Sequence, residues 1–298
     1  MLFMRIRKYA AIDIGSNAVR LLISNVIESK QQTQFFKNSL VRVPIRLGED
    51  SFTSGKISNR NINRLLESIQ SFKILMNVHG VENYLAYATS ALRDAKNSHL
   101  IVNEILNKTG INIEIINGKR EAKIISKTDV FQSIDIDKTY LYVDVGGGST
   151  EFSVIYGGKR IDSISFKIGT VRLLNKSVDD EIWNQVEDWV RKKTKPYKKI
   201  YLMGTGGNIN KIHKISNIKD NRPITYLAMS SIYNKLNSLT YEERIIQMGL
   251  NPDRSDVIVL ASEIFLKTLS WSGAKVIYVP KLGLADGMIR ELYYESVQ

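Results

Sequence analysis

The stretch YAAIDIGSNAVRLLI (residues 9–23) returns as YLYVDVGGGSTEFSV (residues 140–154), with Asp13-Ile14-Gly15 matched by Asp144-Val145-Gly146 131 positions later. Each copy is an apolar run broken once by Asp-x-Gly, the pattern of two strands joined by a tight turn. Solenoid repeats have far shorter periods, so a recurrence at this distance reads as two related α/β domains rather than an array. Glycine at such a turn permits positive φ and close approach, so successive backbone N–H groups can line an anion cradle.

Working outward from the first copy, QFFKNSLVRVPIRL (34–47) reads as a third strand. Ile62, Leu65, Leu66, Ile69, Phe72 and Met76 recur at three- and four-residue steps, which predicts an amphipathic helix closed near Gly80. A buried strand at Tyr84–Ala88 follows, then helical patterns at Ala91–Asp94 and Leu100–Leu106 and a strand at Ile111–Ile116. Beyond Asn117-Gly118 a helix is expected from Lys119 to about Ile134. Around the second copy come the strands YLYVDV, EFSVIY, RIDSISF, IYLMG and KVIYVP, with the glycine loop GTGGN (204–208) and helices between them. Strands alternating with helices give an α/β sheet in each half.

The chain has 298 residues, enough for two domains with their own cores. With 43% apolar and 24% charged residues it is an ordinary folded chain, which excludes disordered, collagenous and coiled-coil classes. No Pro- or Ser-rich linker separates the halves, so the domains are expected to pack around one cleft. Zero cysteines exclude disulfides, thiolate zinc, iron–sulfur ligation and a cysteine nucleophile, and fit a reducing, cytoplasmic setting. Asp13 interrupts the opening MLFMRIRKYAAIDIG before it could serve as a signal peptide, and Glu263 interrupts the apolar stretch Val257–Leu266, so no membrane span is expected. The formal net charge of +12 favours polyanionic partners. Its densest cluster, Arg191, Lys192 and Lys193 with Lys195, Lys198 and Lys199, follows a helical pattern and reads as a solvated face. No zinc-finger spacing, RNP-like motif or long basic arm points to nucleic acid.

Either turn alone is commonly just a hairpin; two, each led by an aspartate at a strand end, point to phosphate. Ser16 and Asn17 add side-chain donors to Gly15 in the first. In the second, Gly146, Gly147 and Gly148 leave the backbone bare while Ser149 and Thr150 bring hydroxyls. Carboxylates bind phosphate only through a metal, and magnesium prefers oxygen ligands, which suits Asp13, Asp144 and Glu151. Arg93, after the strand NYLAYA, is placed to hold a phosphate in bidentate fashion, unless it is an ordinary surface arginine.

AIDIGSNAVRLLI, ATSALRDAKN, INGKREA, DVGGGSTEFSV and GTGGN, in this order, resemble the exopolyphosphatase/guanosine pentaphosphate phosphohydrolase (Ppx/GppA) family from about residue 9 to 290. The resemblance implies two ribonuclease-H-like domains of the actin, sugar-kinase and chaperone-ATPase superfamily holding a ligand in the cleft between them. The expected division is 1–124, with a closing helix at 284–298 returning to it, and 125–283. It implies that Glu121, in Asn117-Gly118-Lys119-Arg120-Glu121-Ala122, is the base that activates the hydrolytic water. It also implies that Asp144 and Glu151 serve magnesium, that Gly15, Ser16, Asn17, Arg93, Gly146, Gly147, Gly148, Ser149 and Thr150 bind phosphate, and that Gly206 and Gly207 extend that set. Without the family, Glu121 is a helix N-terminal charge that favours the dipole.

The implied reaction is release of terminal orthophosphate from inorganic polyphosphate, with hydrolysis of guanosine pentaphosphate as the nearest competitor. A sensor that binds polyphosphate or an alarmone without turnover is a further reading that the intact Glu121, Asp144 and Glu151 disfavour, and a kinase or ATPase motor of the superfamily is another, disfavoured because sugar kinases use an Asp in a different context as base. Longer family members continue into a helical region related to His-Asp phosphohydrolases. This chain ends at Gln298 with only His79, His99 and His213, so a preference for short polyphosphate is expected and a histidine metal cluster is not. Homodimerisation, common among relatives, has no signal of its own here.

Overall fold

The computed structural model describes residues 4–125, 127–128, 135–220 and 222–297. The chain divides into two compact units, Met1–Thr128 with Gly283–Gln298, and Asp129–Leu282.

The first unit opens with an antiparallel meander of β1 (Met4–Ile14), β2 (Val19–Ser29) and β3 (Thr33–Val43). Helices α1 (Leu47–Ser54) and α2 (Asn59–His79) lead to β4 (Asn83–Ala88), which pairs parallel to β1. Then follow α3 (Ser90–Asp94), α4 (Ser98–Thr109), β5 (Glu114–Ile115) and α5 (Gly118–Ile125). The strand order is β3-β2-β1-β4-β5. β1 is buried without interruption from Tyr9 to Ile14, so this central strand reads as a continuous apolar run rather than an alternation. Helix α2 begins where the Ser58 side chain accepts the Asn61 N–H, buries Leu65, Leu66, Ile69, Phe72 and Met76 as its spacing predicts, and ends at Gly80 with φ +66°.

Two details differ from the sequence expectation. The third strand stops at Val43, because Pro44 has no N–H for the ladder, and Leu47 opens a helix that the alternating look of residues 45–47 conceals. The run Ile111–Ile116 is apolar because Ile111, Ile113 and Ile116 are core residues, yet only Glu114 and Ile115 pair with β4. The helix expected from Lys119 is α5; its projected continuation to Ile134 falls largely on residues outside those described.

The second unit repeats the plan. β6 (Thr139–Val145), β7 (Thr150–Tyr156) and β8 (Lys159–Phe166) form the meander, followed by α6 (Thr170–Leu174) and α7 (Asp180–Thr194). β9 (Ile200–Thr205) then pairs parallel to β6, as β4 does to β1. Next come α8 (Gly207–Ile215), β10 (Ile224–Thr225), α9 (Tyr226–Ser238), α10 (Tyr241–Met248), α11 (Pro252–Ser255), α12 (Ile258–Ser272) and β11 (Val276–Tyr278), giving the order β10-β11-β9-β6-β7-β8. The apolar stretch around Glu263 is α12, buried through Ile258, Ala261, Ile264, Phe265 and Leu269, with Glu263 bonded to Lys267 at 2.9 Å. Among the described residues no helix is long and apolar enough to cross a membrane. In the basic cluster, α7 ends at Thr194, Arg191 and Lys193 are paired with Glu187 and Asp162, and Lys195, Lys198 and Lys199 lie past the helix rather than on it.

The last helix, α13 (Leu284–Val297), belongs to the first unit. It buries Leu284, Met288, Ile289 and Leu292 and runs against β1 and α5. Its approach to α5 is closer than any side chain allows, since a Cβ on Gly287 would stand 2.3 Å from the Ile124 carbonyl oxygen. Gly287→Ala is therefore expected to destabilise the fold by about 1–3 kcal/mol, the usual cost of overpacking. The check is the urea midpoint, which should fall with the slope unchanged.

Candidate functional site

The two Asp-x-Gly turns share one backbone plan. In β1–β2 the opposed pairs are Asp13 with Arg20 and Ile14 with Val19; in β6–β7 they are Asp144 with Glu151 and Val145 with Thr150. The Gly15 N–H donates to the Ala18 carbonyl at 3.1 Å, and the Gly146 N–H to the Ser149 carbonyl at 3.0 Å. In each unit the helix after the third strand then caps the turn's carbonyls. The N–H groups of Arg46 and Gly48 donate to Asn17 and Ser16 at 3.1 and 2.8 Å, and those of Thr170 and Val171 donate to Gly146 and Gly147 at 3.0 and 2.8 Å. With their carbonyls committed, Ser16, Gly147 and Gly148 keep backbone N–H groups that meet no protein acceptor among the described residues. Such a concave set of N–H groups is suited to an anion. Gly169 lets the second tie form, because a Cβ there would stand 2.5 Å from the Gly147 carbonyl.

The strand parallel to each aspartate strand delivers a second loop to the same edge. After β4, the Ser90 hydroxyl lies 2.8 Å from that of Ser16, both buried. After β9, Gly206 at φ +106° passes so close to β6 that a Cβ would stand 2.8 Å from the Val145 carbonyl and 3.2 Å from Asp144 Oδ1. Gly206 and Gly207 thus border the second turn at the start of α8. Arg93, at the end of α3, is partly buried and donates from Nη1 to the Ile116 carbonyl at 3.0 Å.

The carboxylates differ between the copies. Asp13, one of three expected to serve a metal, is 4% exposed and is bonded by Arg20 Nη1 at 3.0 Å. At the position equivalent to Arg20 the second copy carries Glu151, 2% exposed, whose Oε1 accepts from the Ser149 and Ser165 hydroxyls at 2.7 and 2.9 Å. Asp144 and Glu151 are therefore opposed acids on neighbouring strands. Two carboxylates facing each other favour a cation between or beside them. Among the described residues no group of three or more His, Asp or Glu side chains forms a ligand cage.

Glu121 stands in the first turn of α5, 9% exposed, where the helix dipole favours a negative charge. Asn117 prepares this end, its Oδ1 accepting the Arg120 N–H at 2.9 Å. The helix is clamped from α13 by Glu291, which is fully buried. Arg120 bonds Oε1 of Glu291, to which the Tyr87 hydroxyl also donates at 3.0 Å, and Lys127 bonds Oε2 at 2.9 Å. Neither Glu291 nor Arg20 was singled out by the sequence reading. Arg20 was findable, since it follows Asp13 by the same interval at which Glu151 follows Asp144; Glu291 gives no local signal.

Burial, with the Glu291 charge adding to it, pushes the Tyr87 phenol up to about 12 against the offsetting Arg120 hydrogen bond. The folded state therefore holds a proton that the unfolded chain loses near the ordinary tyrosine value of 10.0. This stabilisation is full below that value and is lost as pH rises towards the folded one. Tyr87→Phe is expected to flatten the fall of the unfolding midpoint across that interval. Glu291→Ala strands Arg120 and Lys127, and because both are about a third exposed the loss should reach only the low end of the roughly 3–5 kcal/mol known for broken buried pairs. Chemical denaturation at neutral pH measures it.

Comparison with known proteins gives a consistent picture. The model of the Ppx/GppA phosphatase family matches residues 26–295. A bifunctional 3-dehydroquinate synthase/phosphatase of Fusobacterium nucleatum is 29% identical over 95% of this chain and 46% of its own length. Exopolyphosphatase 2 of Mycobacterium tuberculosis is 24% identical over 97% of this chain and 99% of its own. The chain thus spans about half of the first relative and nearly all of the second. The crystal structure of an exopolyphosphatase from Cytophaga hutchinsonii superposes with a TM-score of 0.84 at 21% identity, covering 97% of this chain and 98% of that one. At that identity the likeness shows the fold, the expected two-domain α/β architecture.

Proposed function

The chain belongs to the Ppx/GppA phosphatase family, and from that premise we propose that it is a phosphoanhydride hydrolase releasing terminal orthophosphate from inorganic polyphosphate. The observation that carries this reading is the duplicated turn, whose N–H groups favour phosphate in both units while its acidic partner appears in one only.

In this reading the open N–H groups of Ser16, Gly147 and Gly148, with Gly206, Gly207 and Arg93, bind phosphate oxygens, while the buried Thr150 hydroxyl, expected to bind phosphate, instead donates to the Ile168 carbonyl at 2.6 Å and braces the turn. Asp13 is neutralised by Arg20 and shapes the first turn, so a divalent cation falls to Asp144 and Glu151. The donors fit magnesium: Asp144 and Glu151 would offer hard carboxylate oxygens, and among the described residues no third acidic or histidine side chain joins them. The ion supplies charge neutralisation at the leaving phosphate. Ser149 and Ser165 hold the Glu151 carboxylate in place.

Glu121 takes the proton from water as the water oxygen attacks the terminal phosphorus; the bridging P–O bond breaks and the shortened chain leaves as an oxyanion. Most of the remaining acceleration comes from positioning and charge stabilisation.

The test is orthophosphate release by the purified protein with magnesium, from polyphosphates of defined length and from guanosine pentaphosphate in parallel. Glu121→Gln should keep substrate binding within a few fold while lowering kcat by roughly 100- to 10,000-fold, the scale of general-base loss. A near-unchanged rate would refute the assignment. Asp144→Asn should raise the magnesium concentration needed for half-maximal rate. The ratio of specificity constants decides between polyphosphate and the nucleotide, and rates that fall with chain length bear out the short-substrate expectation. Tight binding with no turnover of either substrate would make the protein a sensor.

A further inference from the structure

The second glycine turn has a further tie, made by a side chain. Arg172, the third residue of α6, is 9% exposed, and arginine is almost never found so deep without a committed partner. Its Nε donates to the Gly148 carbonyl at 2.7 Å, a short, charge-assisted bond. The Arg172 backbone is held on both sides, its N–H donating to the Gly147 carbonyl at 3.2 Å and its carbonyl accepting the Ser177 N–H at 2.9 Å. The side chain therefore starts from a fixed point.

In a trans peptide the C=O and the next residue's N–H point in opposite directions. The carbonyls of Gly146, Gly147 and Gly148 are all drawn to the stretch Thr170–Arg172: the first by the Thr170 N–H at 3.0 Å, the second by the Val171 N–H at 2.8 Å, the third by the Arg172 side chain. The N–H groups of Gly147, Gly148 and Ser149 are thereby turned together to the opposite side, and none of them meets a protein acceptor among the described residues. Backbone bonds set the first two of these peptides, whereas the Gly148–Ser149 peptide is set by Arg172. A cation bonded to the carbonyl also polarises that peptide and makes the Ser149 N–H a stronger donor. In the first turn the matching carbonyl, that of Asn17, is tied by the Arg46 backbone N–H at 3.1 Å, and the third residue of α1 is Glu49. The arginine tie thus belongs to the turn whose aspartate faces a second acid.

We propose that Arg172 is a positioning residue for phosphate binding: it orients the Gly148–Ser149 peptide so that the Ser149 N–H joins those of Gly147 and Gly148 in one cradle for a phosphate group. Successive N–H groups on one side of a turn make a concave anion site, and its strength depends on every donor being aimed before the anion arrives. Arg172 acts from the carbonyl side, through the peptide, and the inference rests on the hydrolase reading because it concerns how that substrate is held.

The experiment compares Arg172→Lys and Arg172→Gln in the full chain, measuring kcat and KM for orthophosphate release from tripolyphosphate at saturating magnesium. Lysine keeps the charge but puts a methylene where Nε stood; glutamine keeps an N–H donor at that place and drops the charge. Arg172→Lys is expected to raise KM about tenfold with kcat within about threefold, the signature of a binding interaction shared by ground and transition states. Arg172→Gln is expected to hold KM within about threefold of the parent, because the carbonyl keeps its donor. A residue that only supported the fold would lower the active fraction, and so kcat, at unchanged KM. That pattern, or a parent-like KM in both variants, would overturn the role of Arg172 and leave the hydrolase reading standing. A KM raised by glutamine but not by lysine would overturn it in favour of charge attraction alone. No release by the parent would overturn the hydrolase reading, and this inference with it.

Discussion

Everything at the candidate site depends on how the glycine turns are held. A two-residue tilt of the chain at Gly15 or Gly146 would scatter the N–H groups, and the hairpin hydrogen bond across each turn is too weak to prevent this alone. The third strand of each meander solves the problem by bringing the chain back, so that the first amides of α1 and α6 donate to the turn's own carbonyls. Each turn is thereby fixed from two sides, and its carbonyl dipoles are drawn away from the face an anion would approach. The absence of a Cβ at Gly169, which would stand 2.5 Å from the Gly147 carbonyl, is what permits the second tie. This explains why a short helix follows the third strand in both units although neither α1 nor α6 contributes much core.

Duplication frees one copy to change. The frame is the same in both units, but the residue opposite the aspartate is Arg20 in one and Glu151 in the other. In the first copy the pair is internally neutral, so Asp13 is stable where it is and needs nothing from outside. In the second, two acids oppose each other, and the Ser149 and Ser165 hydroxyls donate to Glu151. Hydroxyl donors favour the charged carboxylate modestly; an opposed carboxylate works against it. A single position in the hairpin register therefore sets whether the aspartate faces a cationic side chain or a second acid.

How much of this was legible in the sequence follows from the range of each interaction. The Asp-x-Gly turns, α2 and the central strands are set by neighbours within a few residues, so their spacing reveals them. Leu47 was missed as a helix start because Ile45 and Leu47 are core residues whose alternation imitates a strand. The run Ile111–Ile116 was too long as a strand for the same reason: burial makes a residue apolar whether or not it joins a ladder. The ion pair at Arg20 was encoded in the repeat and needed only the two copies to be compared position by position. Glu291 was out of reach, since its partners lie 171 and 164 residues earlier in the chain and no local pattern distinguishes it from a surface glutamate.

Glu291 also shows how a residue far along the chain bears on Glu121. Helix α5 is only two turns long, too short to be stable in isolation, and it carries Glu121 at its least constrained end. Asn117 fixes that end from the inside by accepting the Arg120 N–H. Glu291 fixes the helix from the outside by holding the side chain just before Glu121 and another just past the helix end, with Gly287 removing any side chain that would wedge the two helices apart. A buried carboxylate with two cationic partners is a costly way to gain stability, and an apolar contact would often do as well. What it gives that an apolar contact does not is direction: two fixed attachment points set the rotation of α5 about its axis, and that rotation decides where the Glu121 carboxylate points.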